Sequence, residues 1–460
     1  MRGMHSLGIS VWTGTETEQI AAHVRWTTIG CGRICTLDGR ASWTLPLRGG
    51  WVSKVLGRGG FEFNHDPETL AGLDFPSEVF LVDSTIRSLQ SSVSGSRHLL
   101  DDLVAIGLAV DRLGVRELIV NVGWADGLGV IERLAAARPR ARLVGTFRAT
   151  DGRADEYLKA AIRAGVDEVC IESAPSVEVI RATAELVHSA DRDISHAFAE
   201  PCSWERLLEL GRASSGVGAR SMSFHDSYFR MSVHPEAMKV FIRRLRQAIP
   251  EHPPLYVHLS NFYGHATMTA VAALTAGASA VDVCVNGTGH HCGHSSLAEV
   301  AMVLEDLYGV STGVNLAGIS EAVDVVRARS GIPVRLQQPV VGEFAFMLDG
   351  SDVSEEAGLP APERTHSQLP FAAEVVGGEE RVVWTHRTAT AKALSIRLAA
   401  LGLPANGTTV SRAQLLLADA VGVAPGYPYW LKDDEVATLL QRELASGVST
   451  GPATRDAKRS

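Results

Sequence analysis

Cysteine is scarce in this chain, with six in 460 residues. That density is too low for a disulfide framework, so reduced thiols in a cytoplasmic protein are the expectation. Cys31 and Cys35 form a CxxxC pair with no second pair to complete a metal site. Positive charge is also short: 43 Lys and Arg face 52 Asp and Glu, a formal net charge of -9. A balance of that sign argues against nucleic acid or an anionic membrane as the main partner. The terminal RDAKRS is the only basic run and reads as a frayed tail. The N-terminal MRGMHSLGISVWTGTETEQ has no apolar core of signal-peptide length. The best membrane-span candidate, ATMTAVAALTAGASAVDVCV at 266–285, is interrupted by Gly277 and Asp282. A helix, a turn and a strand account for it better. No glycine-rich phosphate loop is diagnostic. What remains, 45% hydrophobic and 21% charged residues, is the composition of a soluble globular protein. Its length suits two or three domains, or one large barrel with additions.

From residue 78 a pattern repeats: a short β-branched strand, an amphipathic helix, another strand. The strands read EVFLVDS (78–84), ELIVNVG (117–123), ARLVGTF (141–147), DEVCIES (167–173), DISHAFA (193–199), ARSMSFH (219–225), PLYVHLS (254–260) and ASAVDVCVN (278–286). Helical stretches such as HLLDDLVAIGLAVDRLG, ADEYLKAAIRAG and EAMKVFIRRLRQAI lie between them, with Gly or Asp often at the junction. Eight strands alternating with helices over about 230 residues match a (β/α)8 TIM barrel better than an open doubly wound sheet. The polar residues at nearly every strand C-terminus point the same way, because a barrel's active site lies there. The expected organisation is a β-rich extension over 1–75, the barrel over 76–309, a linker and small helical subdomain over 310–445, and a tail over 446–460. The C-terminal region is placed to cover a barrel mouth.

Three strand ends carry distinctive runs: VDSTIRSLQ after the first, VHLSNFYGHA after the seventh, and NGTGHHCGHSSLAEV after the eighth. PVVGEFAF follows further on. Together these resemble the DRE-TIM metallolyase superfamily, the group of 2-isopropylmalate, homocitrate and citramalate synthases and, more distantly, 3-hydroxy-3-methylglutaryl-CoA lyase. The resemblance runs from about 78 to 346 and weakly into WTHRTATAKALSIRLAALGL. It implies an acyltransferase of the Claisen-condensing kind, or a carbon–carbon lyase, of the pyruvate carboxyltransferase domain type. The substrate would be a small oxo acid or hydroxy acid, with an acyl-CoA cosubstrate, a divalent metal and a homodimer. No regulatory domain of the isopropylmalate synthase type is expected, because the chain ends too soon.

The frame departs from the family at the metal. Where the family has DTTLRDGEQ, Arg87 matches the catalytic arginine that stabilises an enolate oxygen, but Ser88 stands where the metal-binding Asp does. In the HxHND segment His258 matches the first ligand histidine, Ser260 replaces the second, and Phe262 replaces the Asp. In NGxGERxGN, Asn286, Gly287, Gly289 and Gly293 match. His290 and His291 replace Glu and Arg, and His294 replaces the Asn beside the metal. Asn121 takes a carboxylate's place in the second strand, and no histidine stands in LDGSDV, where the synthases supply one.

Three readings follow. One is a rebuilt metal site in which His258 and His294 share an ion, with His225, Asp226, His290 or His291 as a further ligand. A histidine-rich set favours a transition metal such as Zn, Fe, Mn or Ni. The second is metal-free chemistry in the same cavity. There Arg87 anchors a carboxylate or oxyanion, and His258, His290 or His294 moves protons, oriented by Asp226 or Glu200. The third is a non-catalytic relative that binds a metabolite or partner. Ser88, Asn121, Arg148, Glu200, Ser260, Asn286, His290 and His291 are the candidate substrate contacts. Glu172 could be a base or pair with Arg148, and Arg87 could form a structural pair with Asp83. Trp124 and Trp204 read as core. The departures suggest a specialised substrate rather than primary leucine or lysine synthesis.

Overall fold

The computed structural model describes residues 32–35, 41–44, 62–91, 99–124, 126–356, 369–385, 389–423 and 430–445. Eight parallel strands close into a barrel. In chain order they are β1 Phe80–Asp83, β2 Glu117–Asn121, β3 Arg142–Arg148, β4 Glu168–Glu172, β5 Asp193–Phe198, β6 Met222–His225, β7 Leu255–His258 and β8 Ala280–Val283, with β8 paired back onto β1. The architecture is the (β/α)8 barrel that the alternation implied. The strands are short and largely buried on both faces, as a parallel sheet under a ring of helices requires.

Several helices bury one stripe, while Ala266–Leu274 is buried almost all round. In Ala154–Ala164 the buried residues are Leu158, Ala161 and Ala164, spaced for one helical face. The helix stops at Gly165, whose φ of 95 lets its N–H cap Ala161 and Ile162. Pro235–Ala248 starts on a proline, with His234 as N-cap, and buries Met238, Ile242 and Leu245. Residues 266–285 divide into the helix Ala266–Leu274 and strand β8. Among the described residues no helix is long and apolar enough to cross a membrane.

Inside the barrel, Phe80, Val82, Tyr256 and Ala280 form an apolar layer with Ile119. Below it the floor is charged. Tyr256 donates its hydroxyl to Glu117 (3.0 Å), and Arg220 and Arg142 reach Glu168 at 3.3 and 3.7 Å. An interior cavity of about 20 Å³, room for roughly one water, lies between this floor and Arg87, Glu172, His225 and Asp282 above. The barrel is therefore plugged, and substrate can reach those four groups only from the C-terminal mouth.

Beyond the barrel a small sheet joins β9 Met347–Asp349, β10 Arg381–Trp384 and β11 Leu431–Lys432. Trp384, Leu394, Leu398, Leu417 and Leu440 make a core there, separate from the barrel's. The region expected to be helical thus carries a sheet as well. Of the β-rich extension expected over 1–75, the hairpin Gly32–Cys35 with Ala41–Thr44 and the helix Pro67–Ala71 are seen. Much of that segment and the tail lie outside the described residues.

Candidate active site

Strand alternation decides which side chains enter the mouth. Register sets Asp282 opposite His258, and His258 opposite His225, on the adjacent strands β8, β7 and β6. All three are buried. Asp282 Oδ2 lies 3.0 Å from His258 Nδ1, and its other oxygen accepts the Ser84 hydroxyl at 2.5 Å. Burial alone would raise the Asp282 carboxyl. The His258 ring, the hydrogen bonds from His258 and Ser84, and the Arg87 charge outweigh it and hold the group below its ordinary value.

Arg87 is presented by the helix Thr85–Ser91, which starts directly after β1. Thr85 fixes that start. Its N–H and hydroxyl both donate to Asp83 at 2.9 Å, and its oxygen accepts Val285 N–H at 2.8 Å, tying β1 to the β8 loop. Asp83 is thereby a clamp, its carboxyl pushed up to about 7 by burial against the lowering effect of those bonds. The alternative of an Arg87–Asp83 pair is not what forms. Arg87 donates instead to Glu172 Oε1, at 2.9 and 3.2 Å, and Thr146 donates to the same oxygen at 2.9 Å. Burial would raise Glu172, but the Arg87 charge and these bonds lower it. The pair sits at the cavity wall, with the Arg87 side chain 13% and Glu172 3% exposed.

The loop after β8 folds His294 inward. Its Nδ1 is 3.3 Å from Ser88 Oγ and 3.7 Å from Cys284 Sγ, and its ring centroid is 4.2 Å from that of His258. Burial, then His258 and Arg87, push His294 well below the usual histidine range, so its ring is neutral. His225, 3.5 Å from Arg87 through Nδ1, is depressed by burial and by Arg87. Burial pushes the Cys284 thiol well up, so it stays protonated. Ser260 donates to Asp226, which also accepts Ser227 N–H at 2.7 Å.

The structure thus gathers Arg87, Ser88, His225, Asp226, His258, Ser260 and His294 at one mouth. His290 is half-buried at its edge, where burial and His291 lower its pKa. His291 is exposed, with its ring 5.2 Å from Phe262. Other candidates are engaged with partners of their own. Asn121 Oδ1 accepts Gly123 N–H and closes a turn. Asn286 Nδ2 donates to Val323 in the helix Ile319–Ser330. Arg148 and Glu200 pair with each other at 3.8 Å, more than half exposed, so Glu172 is not Arg148's partner. Trp204 packs against Phe241. Trp124, read as core, is 38% exposed with the Arg87 guanidinium 6.0 Å from its ring. Asp282 and Ser84 were not among the sequence candidates. The available signal was a lone aspartate at an inward position of an otherwise apolar strand.

The HMGL-like family model matches residues 82–326. The chain belongs to the HMGL-like family. Its DRE-TIM relatives are synthases. A putative (R)-citramalate synthase of Methanopyrus kandleri is 30% identical over 335 residues, covering 69% of this chain and 64% of that protein. A homocitrate synthase of the same organism is 29% identical, covering 73% and 86%. A 2-isopropylmalate synthase of Methanocaldococcus jannaschii is 26% identical, covering 73% and 66%. The chain spans about two thirds of the length of the first and third of these.

Within the HMGL-like frame, a divalent ion would belong among Ser88, His258, Ser260 and His294. The donors present do not fit one. Among the described residues no three His, Cys, Asp or Glu side chains are grouped to hold a metal ion. His258, His294 and His225 are thus not gathered as a three-ligand set among the described residues. Each ring has its Nδ1 beside a different neighbour, respectively Asp282, Ser88 and Arg87. A serine hydroxyl stays protonated near neutral pH and is a weak ligand for such ions.

Proposed function

We propose that this protein makes or breaks a carbon–carbon bond next to the carbonyl of a small oxo acid, hydroxy acid or acyl thioester. The observation that carries the reading is the Arg87–Glu172 pair standing at one barrel mouth with the His258–Asp282 pair. A guanidinium holds developing oxyanion charge, and a neutral imidazole takes a proton.

In the synthetic direction, His258 removes a proton from the carbon beside the thioester carbonyl. The C–H electrons move to the carbonyl oxygen, and Arg87 stabilises that enolate. The enolate carbon attacks the keto carbon of the oxo acid, the new C–C bond forms, and the alkoxide takes a proton back. Water then attacks the thioester carbonyl and the C–S bond breaks, which leaves the hydroxy acid and a free CoA thiol. Cleavage is the reverse of the carbon–carbon step. Burial of Glu172 keeps Arg87 fixed before substrate arrives, so little reorganisation is needed as charge develops. An acyl-CoA cosubstrate and a homodimer are part of this reading, by resemblance to the family's synthases.

The test is thiol release from short acyl-CoA thioesters across a panel of 2-oxo acids, paired with cleavage of the matching hydroxy acids. Turnover in either direction that falls in Arg87→Lys supports the reading. No turnover with any member, from protein that binds oxo acids, would leave a metabolite-binding protein instead.

A further inference from the structure

We propose that this site works without a divalent cation, because Ser88 and Ser260 offer only hydroxyls where an ion needs a carboxylate or an imidazole, and that His258 is a base rather than a metal ligand. The inference rests on the reaction class proposed above only for the second half.

The first half is chemical. Ser88 and Ser260 present hydroxyls, which stay protonated near neutral pH and ligate such ions weakly. The Ser88 hydroxyl contacts the His294 ring at 3.3 Å, and that ring packs against His258 with 4.2 Å between centroids. The backbone holds it there. A Cβ on Gly289 would stand 2.1 Å from His294 Nδ1. A Cβ on Gly293, where φ is 81, would stand 1.9 Å from the Gly287 carbonyl. The two glycines let the loop wrap the ring closely, and His294 N–H closes the wrap by donating to the Gly287 carbonyl at 3.1 Å. The hydroxyls beside the ring are engaged as well: Ser260 donates to Asp226, and Ser88 contacts Cys284 at 3.2 Å.

The second half concerns His258. With no ion between the side chains, its Asp282 partner takes a different meaning. A carboxylate on Nδ1 selects the tautomer whose Nε2 carries the lone pair. Asp282 is itself held on its second oxygen by Ser84 (2.5 Å). Ser84, Asp282 and His258 form a chain of base, orienter and anchor, with Nε2 left as the proton acceptor. Asp282 is then a positioning residue.

The decisive experiment measures metal on the whole protein, with Mn2+ and Zn2+ as probes. Native protein should carry a substoichiometric amount as purified and give no saturable Mn2+ binding by calorimetry. The reverted variant Ser88→Asp/Ser260→His/His294→Asn should gain about one Mn2+ per chain. One equivalent of tightly held metal on the native protein, lost in His294→Ala and His258→Ala, overturns the proposal. So does a folded reverted variant that binds no more than native. If the reverted variant does not fold, the native titration still decides. These readouts need no turnover, so they separate this inference from the proposed reaction. Where turnover is found, Asp282→Asn should cut kcat by roughly 100-fold or more, as loss of an orienting carboxylate does, and should reshape the acid limb of the kcat–pH profile. A parallel fall with an unchanged profile would mean that Asp282 only supports the fold.

Discussion

At the scale of single residues, the Arg87–Glu172 pair is where chemistry and stability are most tightly joined. Glu172 is almost fully buried and its carboxylate relies on Arg87 and Thr146 for compensation. Removing one member of a buried ion pair costs about 3–5 kcal/mol, because the other charge is left unpaired in low dielectric. Arg87→Ala should therefore lower the denaturation midpoint, and adding Glu172→Gln to it should recover a large part of the loss. A double-mutant cycle by urea denaturation checks this, and additive effects would show that the pair carries no coupling. Arg87, His258 and His294 were legible in the chain because their neighbours fix a recognisable frame. Glu172 as the partner of Arg87, and Asp282 as that of His258, were not. Which inward residues meet across a barrel depends on strand register and closure, and those are properties of the assembled sheet.

At the scale of elements, the loop from Cys284 to Ser296 is held by its own backbone. Gly293 N–H donates to His290 O at 2.8 Å, and Asn261 N–H, in the loop beyond β7, donates to Gly293 O at 2.8 Å. The conformation brings His294 into the mouth while leaving His291 outside it. Gly289→Ala would force a methyl group into the His294 ring, so ring or loop must shift. The expected cost is about 1–3 kcal/mol, typical of overpacking, together with a moved His294 imidazole resonance. An unchanged resonance would show that the ring is not confined as described. In the chain this loop shows three histidines in five residues and invites a metal. Only the fold reveals that each ring faces a different neighbour.

At the scale of the whole molecule, the barrel was readable from eight strand–helix alternations, because period and turn chemistry repeat. Its floor was not, since Glu117 and Glu168 begin their strands at positions that look solvent-facing in sequence. Burial, then the Glu168 charge, push Glu117 up from 4.5 to about 8, so it is protonated at neutral pH. Its native state holds a proton that the unfolded chain releases, and stability falls as pH rises from about 4.5 through 8. His196 runs the other way. Burial lowers it from 6.5 to about 3, so the unfolded chain binds the extra proton and stability falls as pH drops below 6.5. Between 4.5 and 6.5 the two slopes oppose; above 6.5 the carboxyl groups act alone. The melting temperature should therefore decline from pH 6.5 to 8, and Glu117→Gln should flatten that limb and steepen the rise between pH 4.5 and 6.5, where His196 no longer meets its opposing slope. A limb of equal slope in the variant would place the titration elsewhere.

The most direct test of the central claim is thiol release from acyl-CoA with a 2-oxo acid, measured in excess chelator and again after one equivalent of Mn2+ or Zn2+ is restored. The account expects turnover that is the same in both conditions and that falls sharply in Arg87→Lys and His258→Gln. Turnover that vanishes with chelator and returns with one metal equivalent would contradict it.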